Sequence, residues 1–332
     1  QLKERLDSGK WLTHTPEGEP EGILTGVFVD QLRRIGLVYQ QPGEDQYFQI
    51  FLNPDGTKAD AFWSSRKNSE PEVYSEDEPL DLAEAMMKYL NCECTYFPSM
   101  KDDDPIMLAY NYAKRESVKE GFVPVLIKAD DEILWECLIM NSDPDSDGED
   151  DYTFAPDKVA EYRKKMLSAP IKDGKAVLEE LTGQRKEEAE DDDMDWEEEV
   201  LGEMEGGEPN DRFSSYWDDD TEMTYPLILA KIPVKNPWEI FAYLPFGNWN
   251  DCPNTPELMA AAKYWFEQYG AVPAAMSHDE LEFLLPAPVP KEKAMDVAVE
   301  QYGFCPDLDQ NASIGTLADT IHQSTVWYFW WD

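Results

Sequence analysis

The chain has 332 residues and carries 70 acidic against 28 basic side chains, which gives a formal net charge of −42. This charge repels nucleic-acid phosphates and anionic membrane surfaces, so it argues against both as partners and leaves a basic protein or a cation. An aromatic content of 12% indicates a folded protein with a substantial core. Without a long apolar run or a signal pattern at the N-terminus, we expect a cytoplasmic protein.

The first hundred residues, 1–100, are predicted to form a small α+β unit. Residues 1–20 are polar and rich in Pro and Gly, and we expect them to be poorly ordered. The elements predicted after them are a helix, or a helix followed by a strand, in residues 23–38, a β-hairpin from residues 47–52 and 61–63 around the turn residues 53–56, and a helix over residues 79–90.

Residues 101–141 are predicted to begin a second domain. Helical spacing up to Gly121 is followed by the apolar run 122–127, which is typical of a buried strand, and by helical spacing over residues 130–140. This part of the chain therefore predicts a helix, a strand and a second helix.

An acidic insertion is predicted over residues 142–222, where 29 acidic side chains face only 9 basic ones. Residues 156–167 and 175–181 have helical spacing. The block 187–199 contains ten carboxylates and is expected to remain solvated as a linker, because like charges repel each other.

Regular patterns resume in residues 223–332, predicted as the C-terminal domain. The predicted elements are strands at 225–232 and 238–243, a helix from an N-cap at Thr255 to Gly270, strands near Val272 and at 281–285, helices at 291–302 and 313–323, and a strand at 325–332. The fold class is therefore α+β, with a C-terminal sheet that helices flank and the acidic insertion interrupts.

The last predicted strand, Thr325-Val326-Trp327-Tyr328-Phe329-Trp330-Trp331-Asp332, is too apolar to remain unpacked in so acidic a chain. Side chains alternate along a strand, so Trp327, Phe329 and Trp331 should face the core. Tyr328, Trp330 and Asp332 should then share the opposite face. There the side chain of Asp332 and the chain's own carboxylate would lie beside an aromatic wall suited to a cation or a basic side chain.

Several motifs of the C-terminal part resemble a bacterial family called domain of unknown function 4253. They are Pro237-Trp238-Glu239, Gly247-Asn248-Trp249-Asn250-Asp251-Cys252-Pro253, Tyr264-Trp265, Tyr269-Gly270-Ala271, Glu300-Gln301-Tyr302, Phe304-Cys305-Pro306-Asp307 and the aromatic terminal strand. The resemblance covers about residues 223–332, with 105–140 as a candidate extension. It implies a domain boundary and no catalytic residue.

The best candidate site combines the loops around Cys252 and Cys305 with His278 and the terminal strand. Either thiol could act as a nucleophile if His278 activated it, and the same residue types could instead ligate a metal. In the structural alternative the cysteines are small core residues. The candidate binding residues beside them are Trp249, Asn250, Asp251, Asp307, Tyr328, Trp330 and Asp332.

A second candidate site is the run Asp143, Asp145, Asp147 and Gly148, which resembles the start of a calcium-binding loop. The twelfth position is Phe154 in place of the bidentate Glu, so an EF-hand is not expected. Weak calcium binding by this acidic loop is the remaining alternative to a solvated charge run.

Two functions follow from these patterns. The favoured hypothesis is a non-enzymatic, acidic protein-binding module, immunity-like or inhibitory, which needs no cofactor and recognises a basic protein. The alternative is a hydrolase or transferase that uses a Cys/His or metal-assisted site in the C-terminal domain.

Overall fold

The computed structural model describes residues 23–29, 35–40, 47–52 and 58–64 as strands, and residues 81–332 apart from 149–150, 219 and 308–311. The chain divides into two compact units, Gln1–Val73 and Tyr74–Asp332. The predicted lead-in, residues 1–20, and the predicted turn, residues 53–56, lie outside the described residues.

The first unit contains a four-stranded antiparallel meander. Its strands are β1 (Ile23–Val29), β2 (Ile35–Gln40), β3 (Tyr47–Leu52) and β4 (Lys58–Ser64), paired in chain order. The hairpin of β3 and β4 confirms the prediction, whereas the helix predicted within residues 23–38 is wrong. That stretch is rich in β-branched and aromatic residues, which suit a pleated surface better than a helix.

The second unit is built on a mixed six-stranded sheet, which confirms the α+β class. Its strands are β5 (Glu93–Phe97), β6 (Val123–Lys128), β9 (Leu227–Ile232), β10 (Val272–Met276), β11 (Glu280–Leu284) and β12 (Val326–Trp330). The spatial order is β12-β11-β10-β6-β9-β5. Only β6 and β10 pair in parallel, and the other neighbours are antiparallel. A separate short ribbon joins β7 (Trp217–Asp218) to β8 (Met223–Thr224).

Helices cover both faces of this sheet. They are α1 (Asp81–Leu90), α2 (Asp104–Glu120), α3 (Pro156–Ser168), α4 (Gly174–Asp191), α5 (Thr255–Tyr269), α6 (Lys291–Phe304) and α7 (Ile314–Ile321), with π-helical turns at Ile133–Ile139 and Trp196–Leu201 and a 3₁₀ helix at Pro237–Ala242. The larger core lies on the face that carries α1, α5, α6 and α7. On the opposite face, α2 and the segment around Phe213 and Tyr216 form a smaller core.

The terminal strand lies in the larger core. The indole of Trp265 on α5 is fully buried and contacts Phe283, Phe304, Trp327 and Phe329, whose ring centroids lie 5.0–5.8 Å from its own. Such aromatic contacts stabilise the fold through buried area and through edge-to-face or stacked geometry. The prediction that this strand is packed is therefore confirmed.

Two predicted local features are wrong, and a third is confirmed as a helix but differs in its hydrogen-bonding register. Residues 238–243 were expected to form a strand, but Pro237–Ala242 is a 3₁₀ helix that begins with a capping box between Asn236 and Glu239. The N-cap of α5 is Asn254, whose side chain accepts a hydrogen bond from Glu257 N, and not Thr255. Residues 130–140 are helical as predicted, but as a π-helix over Ile133–Ile139.

The unit boundaries also differ from those expected. Strand β5 pairs with β9 and α1 packs in the larger core, so residues 81–97 belong to the second unit and not to an N-terminal unit of 1–100. The two helices predicted in the acidic insertion are present as α3 and α4. The block 187–199 is largely helical and ends against buried Val200, with most of its carboxylates exposed to solvent.

Among the described helices, none combines the length and the apolar composition that a membrane span requires.

Candidate functional site

The last residues of the chain are the point where the two cysteine loops meet. Asn250 Nδ2 donates to the backbone oxygen of Asp332 over 2.6 Å, and Asp332 N donates to Asp307 Oδ2 over 3.2 Å. Cys305 Sγ donates to the carbonyl of Trp330 over 2.9 Å. The loops around Cys252 and Cys305 thus converge on the end of β12, as the sequence suggested.

The alternation predicted for β12 is confirmed. Trp327, Phe329 and Trp331 are 1–3% exposed, whereas Tyr328 and Trp330 are 39% and 38% exposed. The hydroxyl of Tyr328 donates to Glu280 Oε1 over 2.7 Å, and the indole nitrogen of Trp330 donates to Asp279 Oδ2 over 3.1 Å. We call these four residues, Asp279, Glu280, Tyr328 and Trp330, the aromatic–acidic face.

Partial burial shifts the pKa values of two groups in this face, the Glu280 carboxyl and the Tyr328 hydroxyl. Burial raises the pKa of the Glu280 carboxyl above its ordinary value, and the bonds from Tyr328 and Ser277 oppose that rise. Burial, together with the bond to Glu280, raises the pKa of the Tyr328 hydroxyl. The phenol therefore stays protonated at neutral pH and remains a donor to Glu280, which holds both side chains in place.

Glu282 lies on the same face of β11, one pleat away from Glu280, and it is fully buried. Ser214 and Ser215 each donate a backbone and a hydroxyl hydrogen bond to its carboxylate, at 2.6–3.3 Å. Burial raises the pKa of Glu282 to about 7, against the opposing effect of these bonds. Glu282 was not among the residues predicted from the sequence, although the alternation Glu280-Leu281-Glu282-Phe283 already placed it beside Glu280.

The two candidate nucleophiles are buried thiols. Cys252 and Cys305 are each 5% exposed. Burial raises the pKa of Cys305 to about 12 and that of Cys252 well above its ordinary value. A thiol must lose its proton to act as a nucleophile, so this environment disfavours such chemistry at neutral pH.

His278 contacts carboxylates and not these thiols. Its Nε2 lies 3.0 Å from Glu132 Oε2 and its Nδ1 lies 3.3 Å from Asp279 Oδ1, while its backbone carbonyl accepts a weak bond from Cys137. Among the hydrogen bonds and ion pairs of the described residues, none joins its imidazole to Cys252 or Cys305. The predicted Cys/His pairing therefore has no supporting contact in this part of the chain.

A cluster of metal-ligating groups lies where the two parallel strands end. Asp130 and Glu132 follow β6, His278 follows β10, and one ligand atom from each lies within 4.8 Å of the other two. Carboxyl ends of parallel strands are common positions for ligand sites. The cluster also has internal partners, since Lys128 Nζ lies 3.1 Å from Asp130 and Glu132 pairs with His278.

A side-chain cation, the ammonium of Lys158, already pairs with the carboxylates of the predicted calcium loop. The ammonium of Lys158 lies 2.8 Å from Asp143 Oδ1 and 3.0 Å from Asp145 Oδ2, and Asp143 Oδ2 also accepts a bond from Ala155 N. Asp147 is exposed. A calcium ion would have to displace Lys158, so weak binding here stays a prediction.

The remaining candidate residues have structural partners. Asp251 pairs with the buried guanidinium of Arg185 at 3.1 Å, which joins this loop to α4. The indole nitrogen of Trp249 donates to the carbonyl of Phe246 over 3.2 Å, and the ring is half-buried. These two residues stabilise the loop before α5.

A cavity of about 420 Å³ runs beside β12. Its walls include β12, one side of α7, the end of α6 and the segment around residues 208–214. Tyr328, Trp330, Cys305 and Asp307, all candidates from the sequence, line it. We call this cavity the β12 trough. It shares Tyr328 and Trp330 with the aromatic–acidic face, so the two features adjoin.

The comparisons with known proteins identify part of this region. No curated protein and no solved structure matches the chain. One family model matches, and its range runs from β9 through β12, which includes the aromatic–acidic face and most of the trough. This model, described as domain of unknown function (DUF4253), matches residues 228–332, close to the span 223–332 over which the sequence resemblance predicted that family.

Proposed function

We propose that this chain is an acidic protein-binding module, immunity-like or inhibitory, which recognises a basic protein through the aromatic–acidic face. One observation carries the proposal. Two large aromatic side chains, Tyr328 and Trp330, are exposed side by side, and each is hydrogen-bonded at its tip to a carboxylate. Rings held next to negative charge suit a lysine or arginine side chain, because the cation meets both a π face and a carboxylate.

The charge of the whole chain supports the same role. A formal charge of −42 attracts a basic partner over long range and raises the association rate, an effect that added salt weakens. Fixed aromatic side chains supply contact area with little loss of conformational entropy on binding. The overall charge therefore steers the partner towards the protein, and the four residues of the aromatic–acidic face recognise it.

The test measures binding of a lysine-rich peptide by fluorescence anisotropy over a range of salt concentrations. The double substitution Asp279→Asn and Glu280→Gln should weaken binding by roughly twofold to thirtyfold, since two charge pairs at partly exposed positions contribute about 0.2–1 kcal/mol each. Trp330→Ala should weaken it further through the lost cation–π contact.

The matched control removes the same number of negative charges at another place in the chain. Asp157→Asn with Glu161→Gln neutralises two exposed carboxylates on α3, outside the proposed surface. It should lower affinity only through the small change in total charge. Equal losses for both double variants would show that binding is unspecific and would contradict recognition by this face.

A metal-assisted hydrolase is the second candidate function, favoured by the cluster of Asp130, Glu132 and His278 at the carboxyl ends of β6 and β10. Calorimetric titration with Zn²⁺ or Mn²⁺ tests it directly. His278→Ala should abolish binding, whereas His322→Ala, which alters a histidine paired with Asp319 on α7, should leave it unchanged. Wild-type protein that takes up neither ion would contradict this candidate.

A further inference from the structure

We infer that the outer edge of β12, which pairs with no other strand in the described part of the chain, takes up an extended, basic segment of a partner protein as an additional strand of the sheet. The inference rests on the proposed function and specifies how the same surface would hold its partner. Strand addition supplies affinity through main-chain hydrogen bonds and specificity through alternate side chains.

The register of β12 shows which of its backbone groups point away from β11. Leu285 N donates to Thr325 O, and Trp331 N donates to Asp279 O, so the odd-numbered residues of β12 exchange hydrogen bonds with β11. In an antiparallel pair the residues between them direct N–H and C=O away from the partner strand. Val326, Tyr328 and Trp330 therefore turn their backbone groups outward.

Both ends of this outer edge are already bonded. The carbonyl of Asn210 accepts a bond from Val326 N over 3.0 Å, and the carbonyl of Trp330 accepts one from Cys305 Sγ over 2.9 Å. Between these ends, the described part of the chain provides no partner for the C=O of Val326, both backbone groups of Tyr328 or the N–H of Trp330. Four main-chain groups are thus aligned for one added strand.

The β12 trough gives that strand room. Five consecutive residues of β12, Val326 through Trp330, line it. Neighbouring side chains of a strand point to opposite faces, so a cavity that touches all five runs along the backbone edge. Its volume, about 420 Å³, lies within the range of pockets that hold small ligands, so it can receive part of such a strand.

Charge identifies the occupant as basic. Glu208 and Asp307 line the trough, and none of its described lining residues is Lys, Arg or His. A second copy of this chain would bring another charge of −42 to the same edge, which electrostatic repulsion disfavours. A lysine- or arginine-containing segment is complementary to the trough and to the adjoining aromatic–acidic face.

The pairing also predicts a side-chain pattern. One residue of an antiparallel segment would exchange two bonds with Tyr328, and the residues two positions away would bond Val326 O and Trp330 N, so that about five residues take part. Directly paired residues share a face, and the bonded residues would project beside Tyr328 and Trp330. The alternate residues would face Leu317 and Ile321 of α7. The expected ligand therefore alternates basic and apolar residues.

A short peptide of alternating lysine and valine is the probe, tested on the full chain. Methylation of the lysine backbone amides should weaken binding at least about tenfold, because two main-chain bonds of about 1 kcal/mol each are lost. Methylation of the valine backbone amides should change affinity by less than about twofold, because those groups point away from β12. A peptide of alternating glutamate and valine should not bind.

Amide hydrogen exchange by NMR provides a second readout. The amides of Tyr328 and Trp330 should become protected when the peptide binds, while those of Trp327 and Phe329 should be protected with and without it.

A peptide that binds in a salt-dependent way, with equal effects of both methylations and no new protection, would overturn strand addition and leave the proposed function standing. Failure of the lysine–valine peptide to bind at any salt concentration would overturn both, and self-association through β12 would overturn the choice of occupant.

Discussion

The hydroxyl of Ser215 donates a hydrogen bond of 2.6 Å to Glu282 Oε2, and both residues are buried. Ser215 lies in the stretch that charge composition assigned to an acidic insertion, and Glu282 lies in β11, next to the terminal strand. Their contact shows that the segment before β7 closes one face of the sheet. It also explains how a carboxylate can be buried in so acidic a protein, because four donors surround it.

Ser215→Ala should lower the free energy of unfolding by about 1.5–3 kcal/mol at pH 8, because a hydrogen bond to a buried, ionised carboxylate is lost. Urea denaturation measures the change. Ser168→Ala on α3 is the control, since that serine is exposed and bonds only the carbonyl of Lys165, and a change below about 0.5 kcal/mol is expected there. Equal effects of the two substitutions would contradict a structural role for the Glu282 contact.

The stability of the protein should fall between about pH 4.5 and pH 7 through Glu282. Burial raises the pKa of this carboxyl from 4.5 to about 7, so in this window the folded state holds a proton that the unfolded chain has released. That contribution is fully present below the lower value and is lost as the pH rises through the higher one. The loss amounts to about 3 kcal/mol.

The control for this pH dependence is Glu282→Gln, which cannot release a proton. Its unfolding free energy should be lower than that of the wild type at low pH. The introduced amide has an NH2 group, which cannot accept the hydrogen bonds that Ser214 and Ser215 donate. The difference between the two proteins should shrink as the pH rises from 4.5 to 7. Parallel curves across this range would show that Glu282 does not titrate there.

Two neighbours on β12 should respond very differently to truncation. Phe329→Ala should cost about 3–5 kcal/mol, since the ring is buried and stacks on Trp265 at 5.7 Å. Tyr328→Ala should cost less than about 1 kcal/mol, because its ring is substantially exposed on the other face. Thermal or urea unfolding of the two variants distinguishes these outcomes, and a larger loss for Tyr328→Ala would contradict the assigned alternation.

The cysteines should differ in their rates of alkylation. The hydrogen bond from Cys94 lowers the pKa of Cys92, and its thiol is only partly buried, so iodoacetamide should modify Cys92 first near neutral pH. Cys252 and Cys305 should react only after denaturation. Peptide mapping by mass spectrometry measures the order, and rapid labelling of native Cys305 would restore the thiol-based enzyme as a hypothesis.

Much of the fold of residues 81–332 was predictable because local signals agreed with the tertiary structure. Helix α5 combined an apolar stripe with Pro256 and Gly270, and Gly270 adopts the left-handed conformation expected at a helix end. In β12 and the two residues after it, the set Trp327, Phe329 and Trp331 is wholly aromatic, whereas the alternate set ends in Asp332. The buried and exposed faces were therefore predicted correctly. The short apolar runs of β6 and β9 were likewise predicted correctly as buried strands.

The errors lie where local patterns allow two structures. The run Trp238-Glu239-Ile240-Phe241 has strand-like residues, but Pro237 and the bonds between Asn236 and Glu239 start a 3₁₀ helix instead. Glu282 was overlooked because its partners, Ser214 and Ser215, are more than sixty residues away in sequence. No property of a single segment reveals such a partner.

The central place of β6 has a consequence for how the chain can be divided. This strand lies between β9 and β10, yet it precedes the family match by about a hundred residues. Residues 228–332 produced alone would therefore lack the strand that joins β9 to the β10–β12 meander, and both neighbours would present open edges prone to aggregation. During synthesis, β6 is made well before its neighbours β9 and β10 and cannot pair until they exist. We therefore expect slow folding that is governed by long-range strand pairing.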